Sequence, residues 1–363
     1  MSLSKSYSLV DRALHHVAFS LPVVQRTLGD LESDIYRKQL DTVTSRNEVF
    51  VTGLPRAGTT LVLELLYQTG EFASFTYREM PFILAPLMWR RLSASSERAG
   101  TLAERAHGDG VKVSYDSPEA FEEVAWLAHL RSSIERKHTL AAVPAEAVTE
   151  EAASALKAMA RKLIYAANRP DQPMSRRYLS KNNANISRLG AIARIFPTAR
   201  VLVVFREPLA QVASLMGQHK RFLAEHAKDR FSERYMRWIG HFEFGANHKP
   251  IDFDGRWGRN GAPGTVDAQY WMEYWTAAYR HVLEHRTAQV RLVDFDALRR
   301  APRPGLERLA RDAGVRDTDR LLAAASTLRA PTVRALDAGA LPADVLQAAQ
   351  EVHQRLRAAA ADS

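Results

Sequence analysis

A short apolar run that leads into a glycine-containing loop constrains the fold of this chain more than any other feature. Residues 49–52, with the sequence VFVT, end at Gly53, and apolar residues with helical spacing begin after Thr59. The apolar run predicts a buried strand, and the 3.6-residue spacing predicts a helix. The segment therefore predicts a strand, a loop and a helix in succession.

The loop itself, residues 53–60 (GLPRAGTT), has the features of an anion-binding site. Consecutive backbone N–H groups and the positive end of a helix dipole favour negative charge at such a turn. Arg56 adds a guanidinium group, and Thr59 and Thr60 add hydroxyl donors. The alternative is a tight turn with a purely structural role.

The glycine spacing of this loop is that of the nucleotide-binding motif G-x-x-x-x-G-K-[ST], but Thr59 replaces the lysine. That lysine reaches the β and γ phosphates of a nucleoside triphosphate. The loop is therefore poorly suited to ATP hydrolysis. It suits a nucleotide whose 5′ end carries one phosphate and a further compact group.

Four later segments, separated by helical patterns, also predict strands: 72–75, 177–180, 201–205 and 290–293. This alternation predicts an α/β fold with a central parallel sheet flanked by helices, in a single domain over residues 1–363. Residues 93–170 contain no strand signal and predict a helical cap. Residues 221–270 are rich in aromatic residues, charge and glycine and predict a mobile active-site flap.

A second anion site is indicated where the apolar run 201–205 ends. Arg206 follows that run directly, and Ser214 lies two helical turns further on. Ligands of parallel α/β sheets bind at the carboxyl ends of strands. An arginine at a strand end and a serine on the following helix can bind one phosphate group together.

These segments resemble the sulfotransferases that use 3′-phosphoadenosine-5′-phosphosulfate (PAPS). Residues 49–60 are similar to their 5′-phosphosulfate loop, residues 181–208 to the segment that leads to their 3′-phosphate site, and residues 290–298 to a late strand with its acidic turn. The resemblance implies the P-loop-like sulfotransferase fold, PAPS as the donor and adenosine 3′,5′-bisphosphate (PAP) as the product.

The resemblance also implies which residues hold the donor. Its 3′ phosphate is expected at Arg206 and Ser214, and Arg256, in the loosely matching segment 255–261, is a further candidate. The 5′ side is expected to contact the loop residues Pro55, Arg56, Ala57, Gly58, Thr59 and Thr60.

Sulfuryl transfer needs a base for the acceptor proton and cations for the charge that grows on the leaving phosphate. The resemblance implies Glu79, just after the second predicted strand, as the general base. The alternative is that Glu79 pairs with Arg78 or caps a helix. Arg56 and Lys181 are the expected catalytic cations, and because these side chains neutralise the charge, the scheme needs no metal.

The acceptor is expected to present a hydroxyl group, and a carbohydrate or glycolipid is favoured because a cap and a flap could form an open polar cleft. A small phenolic or amino acceptor is the alternative. A non-catalytic or kinase-like P-loop nucleotide-binding protein is the alternative from another class, since the missing lysine fits it.

Composition excludes several further classes. The chain of 363 residues contains no cysteine, which excludes a thiol nucleophile and a disulfide framework, and no apolar run is long enough to span a bilayer. We expect a cytoplasmic protein. The net charge of +9 favours anionic ligands, but the basic residues are dispersed, so a nucleic-acid partner is not expected.

One competing motif lies near the carboxyl end. His281 and His285, with Glu284 between them, match the zinc-peptidase pattern H-x-x-E-H. A helix face without a metal is the favoured interpretation, because a pattern with three fixed positions arises readily by chance.

Overall fold

Nine strands occur in the part of the chain that the computed structural model describes, which comprises residues 8–93, 103–104, 112–113, 117–168, 176–256, 264–328 and 335–362. They are β1 (Val49–Thr52), β2 (Phe72–Ala73), β3 (Ala103–Glu104), β4 (Lys112–Val113), β5 (Leu140–Ala141), β6 (Arg177–Lys181), β7 (Arg200–Phe205), β8 (Ile251–Asp252) and β9 (Val290–Asp294). Five of them form the central sheet in the order β2-β6-β1-β7-β9, and every pair is parallel.

The helices that accompany the sheet are α1 (Leu9–Ser20), α2 (Pro22–Ile35), α3 (Arg37–Asp41), α4 (Thr59–Tyr67), α5 (Pro86–Ser93), α6 (Glu122–Ile134), α7 (Glu150–Ala167), α8 (Leu189–Ile195), α9 (Pro208–Lys228), α10 (Arg230–Trp238), α11 (Ala268–His285), α12 (Phe295–Arg300), α13 (Pro302–Ala313), α14 (Thr318–Leu322) and α15 (Ala343–Ala361). Within the described ranges, none of them is long and apolar enough to cross a membrane.

Both faces of the sheet are covered by apolar side chains. Phe50 and Val203 pack into a cluster that includes residues of α6, α7, α9 and α11. Val51 and Leu202 pack into a second cluster with residues of α4, α12 and α13. Successive side chains of a strand point to opposite faces, so a sheet that is buried on both sides requires unbroken apolar runs. This requirement explains why β1 and β7 are recognisable in the sequence.

The predicted fold class is confirmed, because all five predicted strands occur and they form one parallel sheet between helices. The expectation that residues 93–170 lack strands is wrong. In that segment β3 pairs with β4, and β5 pairs with β8 from another part of the chain. Each of these strands has only two residues, which is too short for an apolar alternation to be visible in a sequence.

The segments predicted as cap and flap supply helices to the structure around the sheet. Helix α7 packs against β2 and β6, and the described part of the segment 221–270 begins with the end of α9 and with α10. Its non-helical part starts after Trp238, and residues 257–263 lie outside the described residues. The division into core, cap and flap stays a prediction.

Two glycines allow the anion loop to close tightly against the rest of the sheet. Gly53 has a φ of 144°, and a Cβ there would lie 2.3 Å from the carbonyl oxygen of Val204. Gly58 has a φ of 104°, and a Cβ there would lie 2.3 Å from the ring of Phe295. Side chains other than glycine are strained at these angles. The loop therefore has this path only with glycine at both positions.

A buried ion pair attaches helix α6 to the segment that follows β6. The guanidinium of Arg188 donates two hydrogen bonds to the carboxylate of Glu123, at 2.6 and 2.7 Å, and it lies 4.8 Å from the ring centre of Trp126. Asn182 Nδ2 donates to the same carboxylate at 2.8 Å. The side chains of Arg188 and Glu123 are 1% and 5% exposed. Such a pair is stable only while both charges are present.

Replacing Arg188 should therefore destabilise the fold strongly. Arg188→Ala leaves the buried carboxylate of Glu123 without its counter-ion, and we expect the free energy of unfolding to fall by about 3–5 kcal/mol. Arg194→Ala is the matched control, because Arg194 pairs with the exposed carboxylate of Glu150, and it should cost less than about 1 kcal/mol. Urea unfolding measures both values. Equal losses in the two variants would contradict this account of the ion pair.

Candidate active site

A cleft of about 550 Å³ opens where β1 and β6 end. Its positive and hydroxyl-bearing groups come from two segments: Arg56, Thr59 and Thr60 from the anion loop, and Lys181 from the last position of β6. Because the carboxyl ends of parallel strands meet at one edge of a sheet, residues separated by more than a hundred positions line the same cleft. The expected cations Arg56 and Lys181 are thus brought together.

Arg56 connects the two predicted anion sites. Its backbone has a φ of 68°, and its Nε donates a hydrogen bond to the hydroxyl of Ser214 on α9 at 3.0 Å. The loop at the end of β1 therefore contacts the helix that follows Arg206. A non-glycine residue at positive φ is uncommon, and such residues concentrate at functional sites.

The rest of the loop is fixed by hydrogen bonds inside the protein. The N–H of Ala57 donates to the carbonyl of Leu54 at 3.2 Å. Gln211 Nε2 donates to the carbonyl groups of Leu54 and Pro55 at 3.3 and 3.0 Å, and Trp275 Nε1 in turn donates to Gln211 Oε1 at 2.9 Å. Gln211, which the sequence did not indicate, is thus the residue that holds the loop carbonyls.

Arg206 lies at the end of β7, as predicted, but it does not line the cleft. Its Nε lies 3.6 Å from a carboxylate oxygen of Asp296, which is longer than a hydrogen bond. Among the described residues this buried Nε has no hydrogen-bond partner. Burial and the charge of Arg206 lower the pKa of Arg299, so two arginines lie close to each other beside Asp296.

Arg256 is not brought to the cleft. Its guanidinium is 41% exposed and forms ion pairs with Asp254 and Glu273. Most of the remaining residues of the segment 255–261 lie outside the described residues. The described contacts of Arg256 are those of a surface residue that fastens its turn to α11.

Glu79 lies outside the lining of the cleft. Its side chain is completely buried, and its carboxylate accepts hydrogen bonds from the N–H and the hydroxyl of Thr76 at 2.6 and 3.0 Å. Arg90 Nε donates to its other oxygen at 2.7 Å. Glu79 therefore caps the short 3₁₀ turn Tyr77–Glu79 and neutralises Arg90. Both oxygens of this carboxylate thus have partners within the protein, and its role as a base stays a prediction.

Two residues that the sequence analysis missed provide acid–base groups in the cleft. His241 and Glu243 both line it, and His241 Nδ1 lies 3.3 Å from a carboxylate oxygen of Glu243. Burial raises the pKa of Glu243, but the charges of His241 and Lys181 outweigh this and hold it at about 2. Glu243 is therefore ionised. Both residues lie in an irregular loop after α10, where no sequence pattern singles them out.

Asn183 joins this acidic group to the anion loop. Its Nδ2 donates to Glu243 at 3.2 Å, and its Oδ1 accepts from the hydroxyl of Thr59 at 3.2 Å. Arg188, five residues further along the chain, does not line the cleft because it is buried with Glu123. Asn183 thus connects the anion loop to Glu243.

Histidines of α9 hold the loop that carries His241 and Glu243. The Nδ1 atoms of His219 and His226 accept hydrogen bonds from the consecutive N–H groups of Gly245 and Ala246, at 3.2 and 3.1 Å. Burial lowers the pKa of both histidines. Because a protonated imidazole cannot accept, both rings must stay neutral to hold the loop in this position.

The H-x-x-E-H segment lies on α11, and its histidine rings stack at 4.2 Å. Burial and the charge of His285 lower the pKa of His281 to about 4. In the described part of the chain, no group of three histidine, aspartate or glutamate side chains is arranged to hold a metal ion. The stacked pair is accounted for as packing on one helix face.

The buried histidines predict a loss of stability in acid. Burial, and repulsion from His219 whenever that ring is protonated, lower the pKa of His248 from 6.5 to about 4. Between these values the unfolded chain binds a proton that the folded chain does not, so stability falls as pH decreases from 6.5 towards 4. We expect His248→Gln to remove about 1–3 kcal/mol of this decline. Urea unfolding at pH 7, 5.5 and 4 measures it, and identical pH dependence in both proteins would contradict the assignment.

Comparisons with known proteins give the family and the fold of this chain. The model of the sulfotransferase family matches residues 48–253. No curated protein matches the chain significantly. Among solved structures, sulfotransferase STF9 from Mycobacterium avium is similar over 96% of this chain and 85% of its own, with 15% identity and a TM-score of 0.51. Sulfotransferase STF1 from Mycobacterium tuberculosis H37Rv is similar over 92% of this chain and 82% of its own, with 16% identity and a TM-score of 0.44.

The likeness to STF9 supports a common fold. The family match carries more weight, because it covers more than half of the chain and includes both the anion loop and the strand that ends before Arg206. This protein therefore belongs to the sulfotransferase family, as the resemblance of its motifs implied.

Proposed function

We propose that this enzyme transfers the sulfuryl group of PAPS to the hydroxyl group of an acceptor. The observation that supports the donor most directly is the hydrogen bond between Arg56 and Ser214. It connects the loop expected to bind the 5′ phosphosulfate to the helix expected to bind the 3′ phosphate. A nucleotide with phosphate groups on both positions matches this pair of sites better than ATP does.

The surroundings of Arg206 also support a 3′ phosphate. A buried donor without a partner costs about 1–3 kcal/mol, and a phosphate oxygen at Nε of Arg206 would remove this cost. Arg206 and Arg299 repel each other beside the carboxylate of Asp296. A dianionic phosphate near them would neutralise the excess positive charge. Arg256, which pairs with two carboxylates, is not needed for this site.

The cations of the cleft fit the charge that develops in sulfuryl transfer. PAPS supplies a sulfuryl group whose bond to the 5′ phosphate is readily broken. Arg56 and Lys181 line the cleft from the carboxyl ends of two neighbouring strands, and they can stabilise the negative charge that grows on the leaving phosphate. Thr59 and Thr60 can donate hydrogen bonds to the same oxygens. Positioning and charge stabilisation account for most catalysis in transfers of this type.

For the base we propose His241, positioned by Glu243. An imidazole is a common general base, whereas the low pKa of Glu243 makes that carboxylate a weak base. The carboxylate instead faces Nδ1 of His241 and can stabilise the imidazolium that forms when the ring takes a proton. The earlier expectation for Glu79 stays a prediction that the same experiment tests.

The donor is tested by thermal unfolding with and without PAP in a metal-free buffer. A ligand that binds only the folded state raises the melting temperature. We expect PAP to raise it in the wild type and in the control Arg194→Ala, and to raise it much less in Arg206→Ala. A rise with ATP and magnesium but none with PAP would contradict the proposal and favour a nucleotide-binding protein of another class.

The base is tested by PAP release from PAPS, using an acceptor that gives turnover in a panel of sugars and phenols. We expect His241→Ala to reduce kcat by about 10²–10⁴-fold while PAP still raises the melting temperature. Glu243→Gln should reduce kcat less, because the histidine remains. If Glu79→Gln abolishes turnover in a folded, PAP-binding protein while His241→Ala is active, Glu79 is the base and our assignment is wrong.

A further inference from the structure

A second pocket, partly open to solvent, lies beside the cleft and encloses about 380 Å³ with its opening included. The two share Pro55, Asn183 and Glu243, so the second pocket begins where the proposed acid–base group is located. We call it the acceptor compartment. The cations Arg56 and Lys181 and the hydroxyls of Thr59 and Thr60 line the cleft and not this compartment.

Apolar side chains from six separate segments form the walls of the acceptor compartment. They are Leu54, Leu140, Ala184, Phe242, Ile251 and the ring of Tyr274. All of them except Ala184 are at most 7% exposed. Strands β5 and β8, which are too short to be seen in the sequence, pair with each other and place Leu140 opposite Ile251.

The polar groups of the acceptor compartment are mostly used by the protein. Asn182 Nδ2 donates to Glu123 at 2.8 Å, and Asn182 Oδ1 accepts from the N–H of Ala184 at 3.0 Å. Lys249 Nζ donates to Glu135 at 2.7 Å and to the carbonyl of Arg136 at 3.0 Å. A sugar in this space would bury several hydroxyl groups against apolar walls, at a cost of about 1–3 kcal/mol each.

We propose that the acceptor is a hydrophobic alcohol, with an aryl or alkyl body in the acceptor compartment and its hydroxyl at the boundary with the cleft. This inference rests on the proposed sulfuryl transfer and narrows its substrate class. The sequence favours a carbohydrate because a cap and a flap could form an open polar cleft. The walls of the acceptor compartment are apolar instead, so the proposed acceptor is different. Apolar walls with a few polar groups at one end are typical of sites that bind compact apolar molecules.

The residues already described account for each bond and proton that changes during the transfer. The acceptor oxygen forms a bond to sulfur, and the bond between sulfur and the bridging oxygen of the 5′ phosphate breaks. The leaving PAP keeps that electron pair beside Arg56 and Lys181. The proton of the acceptor hydroxyl passes to the imidazole of His241, whose Nδ1 faces Glu243. Asn183, shared by both spaces, is placed to orient the hydroxyl group.

The test compares 2-naphthol with methyl β-D-glucopyranoside as acceptors for PAPS, by PAP release and by mass of the sulfate ester. We expect kcat/KM for 2-naphthol to be at least about tenfold higher. Ala184→Leu should narrow the acceptor compartment and reduce kcat/KM for 2-naphthol about tenfold, mainly through KM. Ala340→Leu, in an exposed 3₁₀ turn, is the matched control and should have no effect.

The rise in melting temperature with PAP shows whether a negative result contradicts the acceptor proposal alone or the proposed sulfuryl transfer as well. If PAP stabilises the protein but the sugar is the equal or better acceptor, or 2-naphthol is not sulfonated, the proposed acceptor is wrong and the donor assignment stands. The proposed acceptor is also wrong if the Ala184→Leu variant binds PAP normally and its KM for 2-naphthol is unchanged. If PAP gives no rise, the proposed sulfuryl transfer itself fails, and the acceptor proposal fails with it.

Discussion

The buried ion pair of Arg188 with Glu123 is the interaction on which the geometry of the site depends. Two charges that are almost inaccessible to water must face each other, so helix α6 and the segment after β6 have one relative position. Asn182 donates to the same carboxylate, one residue from Lys181 and one from Asn183. A shift of this segment would therefore move a cleft cation and the amide of Asn183.

The charge balance of the cleft is different from that of the whole protein. The chain has a net charge of +9 from dispersed residues, whereas the cleft combines Arg56 and Lys181 with the single ionised carboxylate of Glu243. Cations on one side favour an anionic donor, and an imidazole–carboxylate pair on the other side can remove a proton. Asn183 connects the two sides, because it accepts a hydrogen bond from Thr59 of the anion loop and donates one to Glu243.

Local sequence was sufficient for features that depend on a few consecutive residues. The five central strands were predictable because a sheet covered on both faces demands unbroken apolar runs. The anion loop was predictable because its glycines, arginine and threonines are adjacent in sequence. Glu79 was singled out by its position after a strand, but its environment is set by Thr76 and by Arg90, and an α-helix separate from the strand supplies that arginine.

The sequence by itself determined the parallel α/β fold, the anion loop and the positions of Arg56, Lys181 and Arg206 at strand ends, because each of these follows from short-range pattern. Only the tertiary structure decided that His241 and Glu243 face the cleft, that Arg256 does not line it, and that β5 and β8 enclose an apolar compartment. The physical reason is that these features are contacts between segments far apart in the chain. Burial and pairing fix such contacts, and neither is visible in the local order of residues.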